Sequence, residues 1–323
     1  MILLLGLILS LAAAVIPTVI YTCLVWWCDR YEREPWPLLG AAFLWGAIPA
    51  VLFSLFAEII LDIPLGTLRS SSLQDLVSSG AVAPIVEEVC KGAALFGLFL
   101  LAYREFDGVL DGIIYGALVG FGFAMTENFF YFMSSLMENG WGAWASVVFL
   151  RGIIFGFNHA FFTSLTGIGL GIARLNRGVV RWLAPFVGLG MAIIFHAIHN
   201  VGASLTDVTP LSLLLSLVTD WGGVWIIVVV IWLSWRHERG LMRDYLADEG
   251  IPPADVQAAI AGRLWQRVPV AAQIQARRRA DSREYQQALV ELALRKYQLQ
   301  QVGDEPHLRA EIERLRARVR EIA

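Results

Sequence analysis

The sequence predicts an all-α membrane protein, a polytopic bundle of about seven transmembrane helices followed by a charged helical tail. Of the 323 residues, 57% are hydrophobic and 16% are charged, whereas a typical soluble domain has about 25% charged residues. Long apolar runs alternate with short polar segments as far as residue 235, and the chain beyond is charged and helix-favouring. We therefore expect two domains, a membrane bundle over 1–235 and a cytoplasmic tail over 236–323.

Each apolar run is long enough to cross a bilayer, which takes about 20 residues. The first lacks the basic start of a signal peptide, so we expect it to remain as a helix. The fifth is longer than one crossing needs, so we expect it to begin in the interface or to tilt. No repeat and no discontinuous helix is evident in the pattern. The predicted spans are 1–27, 38–61, 80–103, 110–132, 144–173, 182–203 and 211–235.

Arginine placement predicts the orientation, because cytoplasmic loops carry an excess of basic residues. The segments after the first, third, fifth and seventh spans all contain arginines, whereas the opposite segments contain only Arg69. This asymmetry places the N-terminus outside and the C-terminus in the cytoplasm.

Charge and cysteine content exclude some functions. The net charge is −3, which gives no reason to expect a nucleic-acid partner. The three cysteines match no metal or disulfide spacing and fall in or beside apolar runs. The lipid bilayer is therefore the first partner that the composition predicts.

The end of the tail has a seam-like apolar pattern. Residues 308, 312, 315, 319 and 322 are apolar and alternate steps of four and three, as in a coiled coil. This pattern predicts self-association or docking of a cytoplasmic partner. A solvated amphipathic helix would give the same pattern.

Four of the predicted membrane helices carry polar groups that are costly in hydrocarbon. An ionisable residue there costs at least about 2.5 kcal/mol, so a chain that keeps several is expected to use them. The third span contains the sequence APIVEEVCKG, with two adjacent carboxylates and an ammonium. The residues concerned are Glu87, Glu88 and Lys91, then Glu127 and Asn128, then Asn158 and His159, then His196, His199 and Asn200.

These polar groups share one depth. Counted from the arginine or aspartate at the cytoplasmic end of each span, Glu88 and Glu127 are 16 residues away and His159 and His196 are 15. At about 1.5 Å per residue, all four lie roughly 22–24 Å from the inner edge of a hydrocarbon core about 30 Å thick. Independent structural residues would scatter in depth, so the shared layer predicts one site in the outer part of the bilayer.

The residue types allow several chemistries. Glu87 and Lys91 suit an ion pair four residues apart, whereas Glu88 is rotated by about 100° and is expected to point elsewhere. One carboxylate could act as general base on water, since no serine or cysteine lies beside a base. The two histidines could bind zinc with a glutamate, or act at an oxyanion together with Asn200. The metal ligands would be His159, His196 and Glu127.

Four successive predicted helices each contain one short motif. The motifs are EExxK at 87–91, FxxxE at 123–127, FxxxH at 155–159 and HxxxN at 196–200. In this order they resemble the PrsW family of intramembrane proteases, which is related to the wider CPBP group that includes the CAAX prenyl endopeptidases. The resemblance extends over about residues 25–205 and leaves out the tail.

The resemblance implies an intramembrane endopeptidase in a bacterial inner membrane. Its substrate would be a membrane-anchored protein, for example one like an anti-sigma factor, cleaved near the extracytoplasmic side. Members of the family have been described both as metalloproteases and as glutamate-dependent enzymes. No cofactor is assumed here, and zinc stays open.

The resemblance also implies roles for individual residues. Glu87 would be the general base and Glu88 would support it. The histidines and Asn200 would position water and stabilise the oxyanion. The residues expected to be catalytic are Glu87, Glu88, His159, His196 and Asn200, with Lys91 and Glu127 in support.

Each of these groups also has a structural interpretation. Glu87 and Glu88 could form a buried ion-pair network with Lys91 and Arg151, and the histidines could make interhelical hydrogen bonds. Arg151 itself is expected at the outer interface, where its long side chain could reach the headgroups. The alternative function is a non-enzymatic assembly protein or a proton-coupled carrier, because carriers also bury Glu, Lys and His.

Overall fold

The computed structural model describes residues 2–31, 33–66, 71–103, 105–261, 283–303 and 306–322. Within these ranges the chain forms helices and no strand, which confirms the all-α prediction. Arg69 and Arg104, which served above to orient the chain, lie outside them. The helices are α1 Ile2–Cys28, α2 Trp36–Trp45, α3 Val51–Leu65, α4 Ser71–Val77, α5 Ala83–Leu101, α6 Val109–Phe149, α7 Asn158–Leu175, α8 Gly178–Ser204, α9 Ser212–Leu246, α10 Pro253–Ala261, α11 Arg283–Val302 and α12 Pro306–Ile322.

Among the described residues, five stretches are long and apolar enough to cross a membrane. One of them, Val109–Leu175, contains both the fourth and the fifth predicted span. Helix α5 has 19 residues, but it carries three charged side chains. The polytopic bundle is therefore confirmed, while the count of seven spans and their orientation stay predictions.

The turn predicted between the fourth and fifth spans is reduced to one residue. Helix α6 has 41 residues, and only Gly140 inside it departs from helical geometry, with φ of 79°. Glycine adopts this left-handed conformation without a steric penalty. The chain therefore kinks there instead of forming a loop.

The fifth predicted span is not one continuous helix. A π-helical turn, Leu150–Ile154, follows α6, and the helix is broken at 155–157 before α7 begins. The local sequence explains the break, because Gly156 disfavours a helix interior and Asn158 favours a helix N-terminus. The expectation that the fifth span contains no discontinuity is therefore wrong, and the break lies just before His159. Its start in the interface or its tilt stays a prediction.

Side chains from two other helices bond to the backbone next to this break. The Tyr21 hydroxyl donates to the carbonyl of Gly152 at 3.0 Å, and Trp221 Nε1 donates to the carbonyl of Ile154 at 3.0 Å. Irregular backbone at membrane depth requires such partners, because lipid offers none. The break is therefore a supported feature of the fold.

Helices α6 and α7 touch backbone to backbone. A Cβ atom on Gly112 would lie 2.1 Å from the carbonyl oxygen of Gly167, and one on Gly120 would lie 2.3 Å from that of His159. No side chain fits at such distances, so only glycine allows this approach. The contact at Gly120 fixes the position of His159 against α6.

The chain divides into two compact units. The first contains every predicted site residue, and the second contains the described part of the tail. The predicted boundary at residue 235 stays a prediction. The first unit comprises Met1–Cys28, Glu34–Arg174 and Gly178–Val229, and the second comprises Asp29–Arg33, Leu175–Arg177 and Val230–Ala323.

The second unit has its own apolar core. Ile312, Leu315 and Val319 of α12 are buried in one cluster with Leu289 and Leu292 of α11. These α12 residues belong to the pattern that predicts self-association. That face packs within the chain here, and self-association or docking of a partner stays a prediction.

Candidate active site

One side of the site is formed by three buried side chains of α5, those of Glu87, Glu88 and Lys91. Lys91 Nζ lies 2.6 Å from Glu88 Oε1 and 3.3 Å from Glu87 Oε2. Residues three and four apart lie on one helix face, so a single ammonium reaches both carboxylates. The prediction of a Glu87–Lys91 pair is confirmed, and the prediction that Glu88 points elsewhere is wrong.

Glu88 is the better satisfied of the two carboxylates. Besides Lys91, its Oε2 accepts a hydrogen bond of 3.1 Å from Thr163, and its Oε1 lies 3.0 Å from His196 Nδ1. Three charged or polar partners offset the cost of burying this charge. Thr163 is not among the predicted residues, although its position one turn after His159 on α7 is the signal that could have found it.

His159 connects α5 with α6. Its Nε2 lies 2.9 Å from Glu127 Oε2, and its Nδ1 lies 3.2 Å from Lys91 Nζ. An ammonium only donates protons, so Nδ1 is the acceptor and Nε2–H donates to Glu127. The imidazole is therefore neutral, and its orientation is fixed at both nitrogens.

Glu127 is held by a second cation. Arg151 Nη2 lies 2.5 Å from Glu127 Oε2, and Arg151 Nε donates to Asn128 Oδ1 at 2.8 Å. The guanidinium also lies 3.8 Å from the centre of the Tyr131 ring, a favourable cation–π contact. The guanidinium thus fixes the carboxylate that orients His159, and the expected position of Arg151 at the outer interface stays a prediction.

His196 lies across the site from Glu87. Its ring stacks on Phe162, with centroids 4.9 Å apart, and stands perpendicular to the His159 ring, with centroids 5.1 Å apart. Because Nδ1 binds Glu88, the other nitrogen faces the second carboxylate, with 3.8 Å between His196 Nε2 and Glu87 Oε2. This separation is too long for a hydrogen bond between the two atoms.

Asn200 makes its contact elsewhere. Its Nδ2 donates to the carbonyl of Ser79 at 2.8 Å, in the π-helical turn Ser78–Val82 that precedes α5. The amide therefore ties α8 to the start of α5. Its role at an oxyanion stays a prediction. The side chains that the structure does bring into one polar cluster are Glu87, Glu88, Lys91, Glu127, His159 and His196.

A family model matches residues 34–234 of this chain, a range that contains the whole polar cluster, and its description is PrsW family intramembrane metalloprotease. The chain belongs to the PrsW family. The predicted resemblance to this family is thereby confirmed. The protein is an intramembrane protease and a multi-pass integral membrane protein, like its bacterial relatives.

Several curated proteins named Protease PrsW are similar to this chain. The one from Geobacillus kaustophilus is 25% identical over 252 residues, which are 77% of this chain and 98% of that protein. The one from Bacillus subtilis is 29% identical over 157 residues, 48% of this chain and 65% of that protein. The one from Clostridioides difficile is 33% identical over 121 residues, 38% and 49% of the two chains. No solved structure matches.

The PrsW-family name includes a metal, and three residues of this chain fit one. Ligand atoms of Glu87, His159 and His196 all lie within 4.8 Å of one another. This set has Glu87 where the sequence predicts Glu127, and the role of Glu127 as a ligand stays a prediction. Two histidines and a carboxylate are a ligand set that catalytic zinc uses.

The positions of the other two carboxylates of the cluster, Glu88 and Glu127, also fit a metal site. Glu88 binds one nitrogen of His196 and Glu127 binds one nitrogen of His159, as carboxylates do behind metal-binding histidines. Lys91 Nζ, however, lies 3.3 Å from Glu87 Oε2 and 3.2 Å from His159 Nδ1. The cluster therefore already contains one cation among its ligand atoms.

Proposed function

We propose that this PrsW-family protease hydrolyses a peptide bond of a membrane-anchored protein, near the extracytoplasmic face, with a water molecule activated by Glu87. The observation that supports this choice is the unequal bonding of the two glutamates. Glu88 is saturated by Lys91, Thr163 and His196, whereas Glu87 has only a 3.3 Å contact with Lys91 and faces His196 Nε2 at 3.8 Å. Glu87 therefore has acceptor capacity left for water.

Glu87 performs the proton transfers in this mechanism. It takes a proton from the water as the water oxygen attacks the carbonyl carbon of the peptide, and the carbonyl π electrons move to the oxygen. When the tetrahedral intermediate collapses, the C–N bond breaks and Glu87 returns the proton to the leaving amine. The carboxylate ends the cycle as it began.

The remaining groups supply orientation and charge. His196, held at Nδ1 by Glu88, presents Nε2 towards the water between itself and Glu87. The Lys91 ammonium lies within the cluster and stabilises negative charge that develops on the carbonyl oxygen. Where zinc is bound, Glu87, His159 and His196 would hold it, and it would supply Lewis-acid polarisation of water and carbonyl.

The side of attack follows from depth. The four polar helices carry their functional groups in the outer part of the predicted bilayer, so a bond near the outer end of a substrate's transmembrane segment would reach them. A membrane-anchored substrate, as in the anti-sigma-factor example, fits this position. The broken helix before His159 would also suit a carrier, but that feature here orients a residue of the proposed catalytic cluster.

Cleavage by the purified protein in liposomes, with a single-pass substrate, tests this proposal. Glu87→Gln removes the base and should lower the cleavage rate by about 10²–10⁴-fold, and His159→Ala should lower it by a similar factor. Glu138→Gln is the matched control, because Glu138 is exposed and bonds only to Ser134 among the contacts that the structure gives it. Undiminished cleavage in both site variants would refute the mechanism.

Metal analysis of the active protein separates the two forms of the mechanism. Activity that survives a chelator, in protein without bound metal, supports Glu87 acting alone. If the chelator removes stoichiometric zinc together with the activity, and added zinc restores the activity, the result supports the metal form at Glu87, His159 and His196. Proton-dependent solute flux without proteolysis would support the carrier instead.

A further inference from the structure

A second chain of buried polar groups runs beside the polar cluster, and the mechanism above does not use it. Asp220 of α9, His199 of α8 and Asn158 at the start of α7 are all buried. Asp220 Oδ2 lies 2.7 Å from His199 Nδ1, and His199 Nε2 lies 3.4 Å from Asn158 Nδ2. Asn158 Oδ1 accepts a hydrogen bond of 2.7 Å from the backbone N–H of His159. Three helices are thereby connected to one residue of the site.

The proton positions in this chain follow from Asp220. With Asp220 ionised, His199 Nδ1 carries the proton in this 2.7 Å contact and its Nε2 presents a lone pair. That lone pair requires the NH₂ group of Asn158, which leaves the amide oxygen for the N–H of His159. A flipped amide would place donor against donor at His159 and acceptor against acceptor at His199. Asp220 therefore determines the orientation of each group as far as His159.

Helix α9 supports the break before His159 on both sides. Trp221 donates to the carbonyl of Ile154, just before the break, while its neighbour Asp220 acts through His199 on Asn158, just after it. The ring of Phe155, inside the break, packs edge-on against His199 with centroids 5.0 Å apart. The interrupted backbone is thus fixed at both ends by adjacent residues of one helix.

We infer that Asp220 and His199 are positioning residues for His159, acting through Asn158 at the broken end of α7. This inference deepens the proposed function and rests on it. Orienting groups behind site histidines typically change activity by about 10–100-fold when removed. Asp220→Asn, which keeps the shape and removes the obligate acceptor, should lower kcat by about 10–100-fold and leave KM within about twofold.

The control is Ser216→Ala. The Ser216 hydroxyl donates to the backbone carbonyl of His199 at 2.7 Å, so its loss disturbs the same pair of helices without touching the imidazole. We expect its kcat to stay within about threefold of the parent. His199→Gln and the double variant with Asp220→Asn complete the comparison. If the two residues act as one unit, the double variant should be no slower than the slower single variant.

Amide hydrogen exchange supplies a readout that does not depend on proteolysis. In Asp220→Asn the peptide that contains the His159 amide should exchange about tenfold faster than in the parent, while α12 stays unchanged. Unchanged exchange there, or full kcat despite faster exchange, would overturn the inference and leave the Glu87 mechanism standing. A kcat loss in Ser216→Ala equal to that in Asp220→Asn would also overturn it. Failure of the proposed function would instead appear as cleavage by Glu87→Gln.

Discussion

The chain has only two lysines, and each of them binds a pair of carboxylates in a different unit. Lys91 contacts Glu87 and Glu88 among the membrane helices at 3.3 and 2.6 Å. Lys296 of α11 contacts Asp248 and Glu249, both at 2.7 Å, and donates to the carbonyl of Tyr245 at 2.6 Å. The bonding pattern is nearly the same, so the surroundings decide what each lysine does.

Those surroundings differ in access to water. The Lys91 side chain is 0% exposed, whereas that of Lys296 is 13% exposed and one of its partners, Asp248, is 73% exposed. Water can replace a lost contact around Lys296, but not around Lys91, which is fully buried in protein. In addition, the Lys91 ammonium contacts His159 of the polar cluster, whereas Lys296 connects the end of α9 to α11. The proposed function therefore gives the Lys91 contacts a part in the reaction, whereas the Lys296 contacts connect helices within the second unit.

The largest effect is expected from Lys91→Met, which keeps the length of the side chain and removes its charge. Two buried carboxylates would then share the site without a cation, at a cost of about 3 kcal/mol in unfolding free energy. Cleavage should fall by about 100-fold or more, because the positive charge beside Glu87 is lost. Thermal denaturation in detergent and the cleavage assay measure the two effects. Parent-like stability and rate would show that the charge is dispensable.

Lys296→Met is the same substitution in the second unit, and we expect a much smaller effect. Glu249 keeps its two-pronged contact with Arg316, at 2.6 and 2.9 Å, so the cost should be about 1 kcal/mol. Hydrogen exchange should rise locally in α11, and the cleavage rate should stay within about twofold of the parent. A loss of cleavage as large as in Lys91→Met would contradict the division of roles.

The smallest expected effect is a weaker hydrogen-exchange protection of α12 at acid pH. The Arg316 guanidinium, with Lys296 beside it, holds the pKa of Glu249 below its usual range. A carboxyl whose pKa is lowered on folding stabilises the fold above its unfolded pKa of about 4.3, and this contribution is lost as the pH falls below that value. We expect protection of α12 to be constant from pH 7 to about 5 and to weaken below about 4.5. Hydrogen exchange, corrected for its intrinsic pH dependence, measures this, and Glu249→Gln should remove the acid dependence.

The sequence predicts which helices supply the site, because depth can be counted along a helix. Glu88, Glu127, His159 and His196 have counts of 15 or 16, and the structure joins them through contacts of 2.6–3.2 Å, two of which are made by Lys91 Nζ. Charged residues at one depth in hydrocarbon must find one another. The composition predicts the helical architecture because the backbone of an apolar run in lipid must satisfy its own hydrogen bonds.

The count gives the height of a residue but not its direction around the helix. It could not show that Glu88 shares Lys91 with Glu87, or that Arg151 turns inward to Glu127. The sequence also did not predict the break at 155–157. An apolar run long enough to span the bilayer is expected to be one continuous helix, although this run contains Gly156 and Asn158. Asp220 was detectable in principle, since a lone carboxylate in the seventh apolar run is the same kind of anomaly as the glutamate pair.

The contact between α6 and α7 limits the routes by which water and substrate can reach the polar cluster. The backbones at Gly112 and Gly167 leave no room for a methyl group, and therefore none for a water molecule of similar size. Neither water nor a substrate peptide can therefore pass between α6 and α7 at this contact, and both must reach the polar cluster by another route.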